Sequence, residues 1–134
     1  MSLLRSETLA IGTDADVVHV RQKVRAWATD QGFGLVDQTK IVTAASELAR
    51  NTLIHGGGGS MHLQALNDGS RRGLRLVFED HGPGIPDLKL AMTDGYTTGT
   101  GLGLGLSGAK RLSNEFEIDS KPGEGTRVAI TRWR

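Results

Sequence analysis

The sequence predicts an α+β fold of two layers, a sheet covered on one face by helices. Three observations carry this. Four stretches alternate apolar and polar residues with a period of two, at 61–66, 73–80, 115–120 and 126–133. They fall into two pairs, each joined by a turn-rich segment, "NDGSRRG" and "KPGEG". Two stretches of helical period precede them, and a third separates the pairs, so strands and helices are grouped rather than alternating one by one.

Taken in order, "LLRSETLAI" (3–11) reads as the first strand. Asp14 is the expected N-cap of a helix to about Thr29, with Val17, Val20, Val24 and Ala28 along one face. "DQGFG" breaks it. Asp37 is the expected cap of a second helix to about Ile54, in which Ile41, Ala44, Ala45, Leu48 and Thr52 follow the helical period. "HGGGGS" stops that helix. "MHLQAL" and "GLRLVFED" form a hairpin. "DLKLAMTD" (87–94) reads as a short helix, and "LGLSGAKRLSNE", from about Gly103, as a third longer one. "EFEIDS" and "TRVAITRW" form the closing hairpin.

The bulk numbers narrow the function. A chain of 134 residues fits one domain, 1–134, and buries roughly two thirds of its unfolded surface. The absence of cysteine excludes disulfides, thiolate metal sites and a thiol nucleophile. A net charge of +1 argues against nucleic-acid binding by bulk charge. No apolar run of about 18 residues is present, so no membrane partner is expected. "MSLLRSETLAIG" lacks the apolar block of a signal peptide. The chain therefore reads as soluble and cytosolic. Glycine is the unusual residue: 19 occur, clustered at 56–59 and 99–108.

Three stretches carry chemistry. "EDHGPGIPD" (79–87) ends a strand in a carboxylate and then turns with more glycine and proline than a plain reversal needs. "GTGLGLGLSG" (99–108) contains G-x-G-x-x-G at Gly103, Gly105 and Gly108. The context counts against a dinucleotide fold, because no strand precedes the motif and only 26 residues follow it. No Walker A pattern occurs. Converging backbone N–H groups at a helix start can still hold phosphate. A floppy surface loop is the competing reading, and the alternation of glycine with Leu102, Leu104 and Leu106 counts against it.

In the second helix, Glu47 and Asn51 lie one turn apart, about 40° around the axis, at the edge of the apolar face. Spacing alone favours two polar residues flanking the core. The chemical alternative is an amide oxygen for Mg²⁺ beside a carboxylate that takes a proton from a hydroxyl. Lys110 and Arg111 read as a solvated helix face or, alternatively, as contacts to phosphate or a partner. The histidines at 19, 55, 62 and 81 lack metal-ligand spacing and are ordinary.

In this order, "SELARN" (46–51), "EDHGPGIP" (79–86) and "GTGLGLGLSG" resemble the N, G1 and G2 boxes of the GHKL superfamily, and "GEGT" (123–126) closes the set. That superfamily includes gyrase, Hsp90, histidine kinases and MutL. "TAASELARN", "EDHGPGIPD" and "GAKRLSNEFEI" are most similar to its small serine/threonine-protein kinases of the anti-sigma-factor type, in particular the stressosome switch kinases of the RsbT family. The resemblance implies the Bergerat two-layer sandwich, with a mixed, mostly antiparallel sheet, and binding of ATP with Mg²⁺.

It also implies residue roles. Asp80 accepts from the adenine amino group, Gly82 and Gly84 let backbone approach the base, and Ile85 and Met92 form apolar walls. Thr126 lies beside Asp80 at the base edge. Asn51 holds Mg²⁺, and Glu47 is the general base. Gly101, Gly103 and Gly105, with Leu102 and Leu104 between them, cradle phosphates. The implied substrate is a serine or threonine of a STAS-domain protein, with a PP2C-type phosphatase as a further partner. The alternative is an ATP-binding anti-sigma factor or phosphatase-activating switch with little kinase activity. No room is expected for the phosphorylated helical hairpin of a histidine kinase or the second domain of gyrase.

Overall fold

The computed structural model describes residues 1–85, 92 and 105–134. The described elements are β1 (Ser2–Ile11), α1 (Asp14–Asp30), α2 (Leu35–Ile54), β2 (Gly59–Asn67), β3 (Arg72–Asp80), α3 (Gly105–Arg111), β4 (Glu115–Lys121) and β5 (Gly125–Trp133). The five strands form one sheet in the order β1-β2-β3-β5-β4. Each neighbouring pair is antiparallel, so among the described strands the sheet is antiparallel throughout rather than mixed. The expected short helix at 87–94 lies, apart from Met92, outside the described residues.

Alternation builds the core. Leu74, Leu76 and Phe78 of β3 stand on one face of the sheet with Met61 and Leu63 of β2 and Val128 and Ile130 of β5. Against them pack Val20, Val24 and Trp27 of α1 and Ile41, Ala44, Ala45 and Leu48 of α2, all in one apolar cluster. Each large aliphatic or aromatic side chain buried this way contributes about 1.5–3 kcal/mol. Small residues at 44, 45 and 49 are fully buried and allow α2 to lie close to its neighbours.

The helix starts differ from the sequence expectation. Thr13, not Asp14, is the N-cap of α1. Its hydroxyl accepts from the Asp16 N–H at 3.1 Å, and the Asp16 carboxylate accepts from Gly12 N–H at 2.8 Å and Thr13 N–H at 3.1 Å. This capping box satisfies donors that Asp14, one residue further on, does not reach. α2 begins at Leu35, after a Gly34 cap that makes no side-chain bond. Asp37 sits inside its first turn and accepts from Arg132 Nη2 of β5 at 2.7 Å. A tertiary partner took the carboxylate that a local reading assigns to a cap.

α3 ends at Arg111, earlier than the helical pattern suggests. The Ser113 hydroxyl donates back to the Ala109 carbonyl at 2.7 Å, and Asn114 joins β5 through Asn114 N–H to Thr131 O at 2.9 Å and Trp133 N–H to Asn114 Oδ1 at 2.7 Å. Arg132 Nη1 donates to the Leu112 carbonyl at 2.9 Å, so one guanidinium ties the end of α3 to the start of α2.

Candidate functional site

The inward-facing parity of β3 runs Leu74, Leu76, Phe78 and then Asp80, so the strand ends with a carboxylate where the core face meets the outside. Thr126 of β5 stands opposite Asp80 in the register, and Ser120 of β4 stands opposite Thr126. The sheet thus lines up a carboxylate and two hydroxyls across three neighbouring strands. All three are half-buried.

The end of α2 closes on this row. Its C-cap is His55, and the following Gly56 lies so near Asp80 that a Cβ there would overlap the carboxylate. The loop after β3 locks against both. Gly82 N–H donates to Asp80 Oδ1 at 3.0 Å, and a Cβ on Gly82 would come within 2.7 Å of the Gly56 carbonyl oxygen. Gly84 has φ of +77° and would collide with the Lys121 carbonyl if it carried a Cβ. These two glycines therefore admit the protein's own backbone: the loop must touch both the segment just after α2 and the β4–β5 turn, whatever else approaches it.

Ile85 and Met92 are partly buried and pack against the core cluster. Ile85 N–H donates to Ser120 Oγ at 2.8 Å, which pins the loop to the sheet. Ser120 is the residue that the sequence reading missed. A signal was available: in "EFEIDS" the inward positions run Phe116, Ile118 and then Ser120, a polar residue where the period calls for an apolar one.

Along α2, Glu47 is only 9% exposed, and Asn51 is half-buried one turn later. From Glu47 to His55 the helix advances about 12 Å, so one helix links the Asp80 corner to a buried carboxylate and a half-buried amide. Gly105 opens α3 with φ of +53°, and Leu106, Ser107 and Ala109 are buried. Gly101, Leu102, Gly103 and Leu104 lie outside the described residues. Among the described residues no group of three His, Cys, Asp or Glu side chains could hold a metal by itself. Asn51 suits Mg²⁺, which keeps few protein oxygens when phosphate and water supply the rest.

Comparisons with known proteins agree with this fold. The pattern of the histidine kinase-, DNA gyrase B- and HSP90-like ATPases matches residues 36–133. The chain is 46% identical over 123 residues to the serine/threonine-protein kinase RsbT of Bacillus subtilis, covering 92% of each chain. It is 30% identical over 119 residues to an anti-sigma F factor of a Thermoanaerobacter species, covering 84% of this chain and 82% of the other. A solved structure of RsbU and RsbW domains from Mycobacterium tuberculosis superposes with a TM-score of 0.65 at 24% identity; it shares the fold over 97% of this chain and 33% of its own. No helix among the described residues is long and apolar enough to cross a membrane.

Proposed function

Because the chain belongs to the histidine kinase-, DNA gyrase B- and HSP90-like ATPase family, and within it to the serine/threonine-protein kinases of the RsbT type, we propose that it moves the γ-phosphate of Mg-ATP to a serine or threonine of a STAS-domain protein. Phosphorylation then switches the kinase between that protein and a PP2C-type phosphatase. The observation that carries the reading is the course of α2. Gly56, just past its C-cap, lies against Asp80, and about two turns before that cap the helix presents Glu47, a carboxylate nine-tenths buried one turn from Asn51. A helix that only covered a sheet has no use for a buried carboxylate there.

Each residue then has a task. Asp80, with Oδ1 held by Gly82 N–H, accepts from the adenine amino group. Thr126 meets the same edge of the base. Ile85 and Met92 cover its faces, and Gly82 and Gly84 hold the loop close to it. Gly101, Gly103 and Gly105, with Leu102 and Leu104, surround the phosphates. Asn51 would hold the metal, which when bound neutralises phosphate charge. Glu47 accepts the proton of the attacking hydroxyl. The hydroxyl oxygen bonds to the γ-phosphorus, the bond from that phosphorus to the β–γ bridging oxygen breaks, and ADP leaves with that oxygen.

Mixing the purified chain, Mg-ATP and a candidate STAS protein, and weighing the products by mass spectrometry, tests the proposal. One added phosphate on the STAS protein, with ADP formed, is expected. Binding of both ATP and partner without transfer would favour a switch that works by binding alone.

A further inference from the structure

Ser120 occupies the centre of a small hydroxyl network. A serine hydroxyl has one hydrogen and two lone pairs. One lone pair is taken, because Ile85 N–H donates to Ser120 Oγ at 2.8 Å. The hydrogen has two candidate acceptors, Thr126 Oγ1 at 2.8 Å and the Gly125 carbonyl at 3.4 Å. The Ser120–Thr126 bond can run either way; the opposite direction leaves the Ser120 hydrogen only the Gly125 carbonyl at 3.4 Å, beyond the usual span of about 2.5–3.0 Å for hydroxyl bonds, so the distances favour Ser120 as donor. With one lone pair so filled, the Thr126 hydroxyl would keep its own hydrogen for another acceptor. Thr126 is in register with Asp80, whose carboxylate can only accept.

We propose that Ser120 is a specificity-determining positioning residue. By donating to Thr126 it makes that hydroxyl a donor beside the Asp80 acceptor, and the pair reads adenine against guanine. The inference rests on the placement of the base at Asp80. Adenine offers an amino donor at C6 and a ring-nitrogen acceptor at N1. Guanine offers the reverse, a carbonyl acceptor and an N–H donor. A fixed acceptor–donor pair matches the first and leaves unmatched groups with the second. Without Ser120, the Thr126 hydroxyl can rotate, and the distinction weakens.

Calorimetric titration of the purified chain with ATP, GTP and inorganic triphosphate tests this. Ser120→Ala should lose about 3- to 10-fold in ATP affinity, the worth of one net hydrogen bond, with GTP and triphosphate within about twofold of parental. Thr126→Val should lower the ATP/GTP ratio similarly, Thr126→Ser should restore it, and the Ser120→Ala, Thr126→Val double variant should lose no more than Thr126→Val alone. Where Ser120→Ala does not fold, Ser120→Cys, of similar shape but with a weak S–H donor, should lower the ratio in the same direction. Equal losses for all three ligands, an unchanged ATP/GTP ratio, or additive losses in the double variant would overturn the proposal and assign Ser120 to packing. A parental chain that binds ATP and GTP alike would instead remove the base from the Asp80 corner, and the proposal with it.

Discussion

Replacing Asp80 by Asn should cost the protein its preference for adenine without costing it the fold. The structure dictates how the amide must sit. Gly82 N–H donates to Asp80 Oδ1 at 3.0 Å, so the amide oxygen is drawn to that position. The NH₂ group then takes the place of Oδ2 and meets the adenine amine donor to donor. If the amide flips to relieve this, Gly82 N–H loses its acceptor. Either arrangement leaves a buried donor unmatched, at about 1–3 kcal/mol. That corresponds to about 5- to 150-fold in ATP affinity. Calorimetry with ATP, GTP and inorganic triphosphate reads it out. ATP should weaken by that factor and triphosphate should not. Thermal unfolding should shift by less than about 4 °C, roughly the shift for 1 kcal/mol in a domain of this size. A variant that binds ATP as tightly as the parent and still prefers it to GTP would refute the assignment of Asp80. Equal weakening of all three ligands with a large fall in Tm would show a structural role instead.

Three further outcomes are expected. Glu47→Gln keeps size and helix propensity, so ATP and partner binding should persist in titrations while phosphorylation of the partner slows by at least about 10²-fold; a parental rate in a time course would remove Glu47 from the chemistry. Asn51→Ala should weaken Mg-ATP much more than metal-free ATP, and equal losses in calorimetry with and without Mg²⁺ would dismiss Asn51 as the ligand. The Asp16 carboxyl is held below its usual 3.8 by the N–H of Gly12 first, then by the Thr13 hydroxyl and N–H, so its stabilising effect is present above that value and lost as pH falls through the lowered one. Asp16→Asn should therefore unfold at lower temperature than the parent near neutral pH, and the gap should close below pH 3.8; a gap unchanged in strong acid would contradict the capping box.

Much of the fold was legible because its signals are local. A two-residue period and a 3.6-residue period are set by backbone geometry, so the five strands and the helices α1, α2 and α3 could be located from side chains alone. The spacing of Glu47 and Asn51 placed both at the edge of the buried face for the same reason, and the structure leaves one buried and the other half-buried. The order of the glycine-rich stretches carried the family likeness, which needs only the chain.

Other features were decided by tertiary contact. Thr13 and Asp14 are both good caps by residue type, and only the reach of Asp16 back to Gly12 and Thr13 selects between them. Asp37 became a partner of Arg132, which lies 95 residues away. Gly82 and Gly84 had an evident reason in a bound base, but the contact that requires them is backbone from Gly56, just after α2, and from the β4–β5 turn. Above all, Asp80, Thr126 and Ser120 stand in one row because the antiparallel registers of β3 with β5 and of β5 with β4 bring them there. A side chain's face is fixed by its own strand. Its neighbour across the sheet is fixed by how far two strands slide before their apolar faces and turns agree, and that sum is settled only when the whole sheet packs on its helices.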